Sequence, residues 1–167
     1  PNIKDGLIEV VAAADINPNS VQYAKQSLGL RDDQLYTDIN KAFDEVKADC
    51  CAIITQPAYH EDVVNVALAH DVDIISEKPI ADTLDASIRI ANKVKSAGKK
   101  MGVTMSHRFD QDKTTLRSML RSGQYGALDY LVCRFTTDCR KYGAWGNFRH
   151  DIIDTLMIEG SVHHLDI

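Results

Sequence analysis

Short, continuous apolar runs alternate with amphipathic stretches of helical period along most of this chain. The runs "LIEVVAAAD" (7–15), "CCAIIT" (50–55), "VDIIS" (72–76) and "KMGVTMS" (100–106) read as buried strands, because their apolar residues run on instead of alternating. A further short strand falls near Leu35 and Tyr36. Between them lie helices with clear ends. Asn17 is placed to cap a helix that has Pro18 in its first turn and Gly29 past its end, with Val21, Ala24 and Leu28 on one face. Asp38 caps a second helix over 39–46. A third, over 60–70, turns Val63, Val64, Ala67 and Leu68 inward. Asp82 or Thr83 caps "LDASIRIANKVKSAG", where Leu84, Ile88, Ala91 and Val94 recur at helical spacing and Gly98 ends the run. "DQDKTTLRSMLRSG" is a further helix. Strands alternating with helices of these lengths predict an α/β fold of βαβ units, with a parallel sheet covered on both faces.

The rhythm changes near Gly126. "ALDYLVCRFTTD" (127–138) reads as a longer strand of a different sheet, "YGAWGNFRHD" as an aromatic loop, and "EGSVHHLDI" as the start of a helix. A parallel domain that binds a dinucleotide opens with a strand, a glycine-rich turn and a helix. The nine glycines here form no G-x-G-x-x-G, and the strand ending in Asp15 has the character of the second strand of such a fold. The chain therefore reads as a Rossmann-like sheet without its first strand and glycine-rich turn, a piece of a larger protein.

Composition narrows the partners. The 167 residues carry a net charge of −5 and no block of Lys and Arg, which argues against nucleic acid and anionic membrane. No run of about 18 apolar residues and no signal-peptide pattern is present. Cys50, Cys51, Cys133 and Cys139 follow no metal-binding spacing, so no metal is expected and the thiols suit a reduced, cytoplasmic setting.

In open parallel sheets, ligands gather outside the carboxyl ends of the strands. Those ends carry Asp15; then Thr55, Gln56 and Pro57; then Glu77, Lys78 and Pro79; then Ser106, His107 and Arg108. An acid, an amide, a lysine and an arginine thus share one rim. A carboxylate at Asp15 can accept from both ribose hydroxyls and would repel a 2′-phosphate. No basic residue follows it closely, which favours NAD while leaving NADP possible. Asp15 is equally suited to lead the helix that follows.

"EKPIADT", preceded by "TQPAYHEDVV" and followed by "HRFD", resembles the Gfo/Idh/MocA family of NAD(P)-dependent oxidoreductases, from about Ile8 to the end of the chain. In that family the strand-end E-K-P is the signature, and its lysine lies beside the nicotinamide and the reacting hydroxyl. The resemblance gives that role to Lys78, with Glu77 and Pro79 fixing the turn. The loop "QPAYH" brings backbone and His60 near the cofactor, and Arg108 matches an arginine near the substrate end. "EGSVHHLD" resembles the family's H-x-x-D at the head of a helix lining the substrate pocket, which assigns catalytic roles to His163 and Asp166 and leaves His164 pointing elsewhere as a structural residue. Trp145 and Arg149, in the preceding loop, are candidate substrate contacts.

The chemistry suits these residue types. Oxidising a carbinol requires its hydroxyl proton to leave, and a lysine ammonium can stabilise the developing alkoxide while a histidine takes the proton. The resemblance divides the chain into a partial dinucleotide-binding domain, 1–106, and the beginning of a substrate and oligomerisation domain, 107–167. It implies a dehydrogenase or reductase acting on a sugar, polyol or related substrate, homo-oligomeric when whole, with this piece inactive alone. A non-enzymatic NAD(P)-binding regulator of the same fold is the competing expectation; it would have no use for a proton relay.

Overall fold

The computed structural model describes residues 5–134 and 160–166. Trp145, Arg149 and Cys139 lie outside them.

The first ladder is short. Strand β1 (Ala13–Ala14) pairs in parallel with β2 (Leu35–Tyr36), Ala13 opposite Leu35 and Ala14 opposite Tyr36. Between them runs α1 (Pro18–Leu28), capped by the Asn17 side chain, which accepts from the Asn19 amide at 3.0 Å. The helix ends where Gly29 adopts φ 71°, a conformation glycine takes without steric cost. Helix α2 (Ile39–Glu45) follows, capped by Asp38 as its spacing predicts.

The second ladder holds the core. Strands β3 (Cys50–Ile53), β4 (Asp73–Ser76) and β5 (Met101–Val103) are parallel and lie in that order. They are linked by α3 (His60–Ala69) and α4 (Leu84–Ser96). Ile53 and Ile74 from the sheet meet Val64, Ala67, Ile90 and Val94 from these helices in one buried cluster. The helices are also joined at their surface, where Arg89 and Lys93 of α4 both donate to Glu61 of α3, at 2.7 and 2.8 Å. The Arg89 guanidinium, and after it the Lys93 ammonium, hold the Glu61 carboxyl down at about 2. Two adjacent thiols divide between environments: Cys50 is exposed, while Cys51 packs against the core and burial pushes its thiol up to about 11.

Three expectations are corrected. The apolar run 7–15 forms ladder only at Ala13–Ala14, and Leu7 and Ile8 are exposed. Residues 127–134 form no strand, and Leu128, Tyr130, Leu131 and Val132 are exposed; 135–138 lie outside the described residues. A strand is made by its neighbour, and among the described residues none is ladder-paired with 7–12 or with 127–134. The sheet is also not covered on both faces: the row Ala52, Ile75, Gly102, set side by side by the register, is exposed, with Ile75 at 49%.

Helix α4 uses a different face from the one its largest side chains suggest. Ala86, Ile90 and Val94 are buried, whereas Leu84 and Ile88 are 62% and 51% exposed. That face is the one that joins the cluster shared by α3 and the sheet, in which Ala86, Ile90 and Val94 lie with Val64, Ala67, Ile53 and Ile74. Beyond β5 come α5 (Gln111–Arg121) and the short α6 (Val162–Asp166).

Candidate functional site

The carboxyl ends of β3, β4 and β5 are tied together by backbone bonds that run past the ladder. The Glu77 amide donates to the Ile53 carbonyl at 2.8 Å, and the Thr104 amide to the Ser76 carbonyl at 2.9 Å. The loops leaving β3 and β4 are then braced by one side chain. His60, at the first turn of α3, has no exposed surface. Its Nε2 lies 2.9 Å from the Thr55 carbonyl oxygen and its Nδ1 3.1 Å from that of Ile80, with the Ser76 hydroxyl 3.4 Å from Nδ1. One imidazole therefore links the loop holding Thr55, Gln56 and Pro57 to the loop holding Glu77, Lys78 and Pro79.

Within those loops, Pro57 opens a 3-10 turn, Pro57–Tyr59, closed by the Tyr59 amide on the Gln56 carbonyl at 2.9 Å. Pro57 and Pro79 are buried, whereas Thr55 and Gln56 are exposed and Lys78 is half-buried. The Lys78–Pro79 peptide is cis, and the Lys78 amide donates to Glu77 Oε2 at 3.2 Å. Thr83 ends the loop by capping α4, its Oγ1 accepting from the Ala86 amide at 3.2 Å. On the other ladder, exposed Asp15 follows β1, and its Oδ1 accepts from the Asn17 amide at 2.7 Å, so it does lead the helix.

The β5 side is built differently. A 3-10 turn, Ser106–Phe109, follows the strand, and α6 packs on it. His107 from the turn and His163 from α6 stack face to face, ring centroids 4.2 Å apart and planes 14° from parallel. His163 is 9% exposed. Burial pushes its imidazole below the usual value; charge on His107, Lys78 and His164 acts in the same direction, and Glu77 opposes it. The Nδ1 atoms of His107 and His163 and the Thr104 hydroxyl are buried and, among the described residues, meet no hydrogen-bond partner. His164 does not point away as expected: its ring stands edge-on to His107 at 6.3 Å and 79°.

Arg108 and Asp166 are spent on each other. The Arg108 guanidinium grips the carboxylate in a fork, its Nε donating to Oδ2 at 2.9 Å and its Nη2 to Oδ1. The pairing holds the Asp166 carboxyl below the usual carboxylate range. Asp110 is likewise held low, first by Lys113, whose Nζ donates to Oδ2 at 2.6 Å.

The structure thus gathers Lys78, Glu77, His107, His163 and His164 into one electrostatic neighbourhood. It puts Asp15 on the separate β1–β2 ladder and encloses the His60 ring. Among the described residues no group of three His, Cys, Asp or Glu is arranged to hold a metal ion. The residue that sequence reasoning left without a role is His107. Its position at a strand end is plain in the sequence, but no spacing marks a histidine that stacks on another so far along the chain. A nicotinamide dinucleotide fits the residues present at its two ends: an exposed acid after β1 for ribose hydroxyls, and an accessible polar rim with unpartnered buried donors and acceptors after β5.

The profile of an oxidoreductase family with an NAD-binding Rossmann fold matches residues 2–105. An uncharacterised Sinorhizobium fredii protein, y4oX, is 50% identical over 166 residues, covering 99% of this chain and 46% of its own length. An inositol 2-dehydrogenase of Burkholderia cenocepacia is 29% identical over 168 residues, covering 95% of this chain and 45% of its own length. The chain therefore spans about half the length of these curated relatives. Among solved structures, myo-inositol 2-dehydrogenase from Lactobacillus plantarum superposes with a TM-score of 0.64 at 20% identity, over 71% of this chain and 35% of that one, a likeness of fold.

Proposed function

Since the chain belongs to the Gfo/Idh/MocA oxidoreductase family, with its NAD-binding Rossmann fold, we propose that the intact protein interconverts a hydroxyl and a carbonyl carbon on a sugar, polyol or related small molecule. The observation that carries this reading is the convergence at the strand ends: the end of β4, which leads to Lys78, is bonded to the end of β5 through the Thr104 amide on the Ser76 carbonyl at 2.9 Å, and the turn after β5 holds His107 stacked on His163 at 4.2 Å. When bound, an oxidised nicotinamide dinucleotide supplies the hydride acceptor. Asp15 would hold its ribose, and the exposed Thr55 and Gln56, with Pro57 setting their turn, would line its path toward Lys78. Glu77 and Pro79 position the lysine.

Lys78 donates to the substrate's reacting oxygen and stabilises the charge that develops there as the proton leaves. His163, buried beside cationic neighbours and short of a hydrogen-bond partner at Nδ1, is poised to accept that proton. Asp166, tied to Arg108, serves first to fix α6 on the Ser106–Phe109 turn, and the pair presents a polar surface on the same side. His60 acts on the site through the loops it braces. The boundary between the two domains falls near Ser106, and the segment beyond it, with Trp145 and Arg149, contributes to substrate binding and self-association.

The test uses the intact protein. NAD and NADP are titrated by fluorescence, then sugars and cyclitols are screened for nicotinamide reduction beside the Lys78→Ala variant. NAD-linked turnover that collapses in the variant supports the proposal. Tight cofactor binding with no turnover across the panel, unaffected by the substitution, would replace it with a cofactor-sensing regulator.

A further inference from the structure

Of the features that the function does not absorb, the exposed sheet row Ala52, Ile75, Gly102 and the groove along α5 have nothing to say what covers them. The Glu61, Arg89, Lys93 cluster is a solvated helix tie. The stacked imidazoles are different, because they are paired by geometry, carry unpartnered buried nitrogens, and stand at the end of a strand that carries the site.

We propose that His107 is a positioning residue for His163: stacked flat on its ring, it fixes the plane of that imidazole and disfavours a positive charge on both rings at once, so that His163 keeps an unprotonated ring nitrogen for the reacting hydroxyl. The inference rests on the role given to His163 above. Two parallel rings at 4.2 Å leave little room for either to swing, and His163 is anchored on its other side by a helix that Arg108 clamps through Asp166. A second positive charge on rings this close is opposed by Coulomb repulsion, the more so because His163 is itself buried.

The charged and titratable groups facing the pair act in both senses: Lys78 and His164 disfavour a charged His163, whereas the carboxylates Glu77 and Asp110 favour it, Asp110 being itself tied to Lys113. From the β4 end come Lys78 and Glu77; from the Ser106–Phe109 turn and the residue after it come Arg108 and Asp110; from α6 itself come His164 and Asp166. Glu77 opposes the cationic neighbours, and Arg108 and Asp166 neutralise one another. In the step that His107 serves, the substrate O–H bond breaks, its proton bonds to the unprotonated ring nitrogen of His163, and no charge need pass to His107.

The experiment reads the ring and the rate separately in the intact protein. The His163 imidazole is titrated by NMR in the parent, His107→Ala and His107→Phe; kcat is followed against pH in the same three. Loss of the neighbouring charge is expected to raise the His163 midpoint in both variants and to carry the acid limb of kcat with it. Loss of the stacked surface is expected to lower kcat roughly tenfold in His107→Ala, and His107→Phe, which restores a flat ring, recovers most of that loss. An unmoved His163 midpoint in both variants overturns the proposal, whatever the rate does. Failure of the parent reading looks different: full turnover in His163→Ala sinks the base assignment, whereas the ring titration needs no turnover and still reports whether His107 governs His163. His107→Phe fills the same space, so a folding defect confined to His107→Ala cannot supply the result.

Discussion

The two sides of this strand-end site are built on opposite principles. After β3 and β4, polar atoms are committed: His60 is sealed in and faces two carbonyl oxygens, Ser76 Oγ donates to the Glu77 carbonyl at 3.0 Å, and Thr83 closes the loop on α4. After β5, three buried polar atoms meet no partner among the described residues, and two imidazoles lie stacked. Unpartnered buried groups cost on the order of 1–3 kcal/mol each, so a fold keeps them only where something compensates. Saturation on one side holds a lysine still; want of partners on the other leaves groups able to take a proton. Rigid support and reactive capacity are thus assigned to neighbouring strands of one sheet.

The contrast can be broken most sharply at its seam. Lys78→Ala in the intact protein is expected to lower kcat by roughly 10²–10⁴-fold while leaving the unfolding midpoint nearly unchanged, as measured by steady-state kinetics and urea denaturation. His60→Ala is expected to behave in the reverse way in its primary effect, costing about 2–4 kcal/mol of stability, since it opens a cavity and strands two carbonyls. Urea midpoints for His60→Ala and His107→Ala side by side test the distinction; an equal loss from both would erase it. Thr83→Ala, which removes a cap at the end of the braced loop, is expected to cost about 1 kcal/mol, read from the same transition.

The smallest effect is a pH dependence confined to the open side. The His163 imidazole is held below its ordinary 6.5, so the unfolded chain binds more protons than the folded one as the pH drops beneath that value. His163 therefore adds stability that is fully present above about 6.5 and is lost as the pH falls through its lowered folded value. Thermal melts across that window should show the slope in the parent protein and a flatter profile in His163→Gln.

Much of the scaffold was legible because buried parallel strands announce themselves. "CCAIIT" and "VDIIS" are legible as strands from their unbroken apolar runs, although only the face carrying Ile53 and Ile74 is buried, and Asn17, Asp38 and Thr83 cap where their spacing predicts. The misreadings share a cause, which is that periodicity describes a segment and not its neighbour. Residues 7–15 have strand character yet pair only at Ala13–Ala14, and α4 offers two helical stripes of similar spacing, of which packing on α3 selects the one through Ala86 and Ile90. In the site, Lys78 could be found from its place between Glu77 and Pro79 at a strand end. That His60 braces and His107 stacks depends on contacts across 20 and 56 positions of chain, respectively, which local pattern does not encode.

The adjacent thiols of β3 supply a clock. Cys50 is exposed, with its thiol raised above the usual value by partial burial, and should react with a thiol reagent first, while Cys51, partly buried against the core with its thiol pushed up to about 11, should react faster whenever β3 parts from the packing behind it. The ratio of the two labelling rates, resolved by peptide mass, measures how often this strand opens, with the faster cysteine correcting for reagent and pH. A bound dinucleotide that steadies the loops after β3 would slow Cys51 and leave Cys50 untouched, so occupancy of the site could be timed from inside the sheet without any turnover at all.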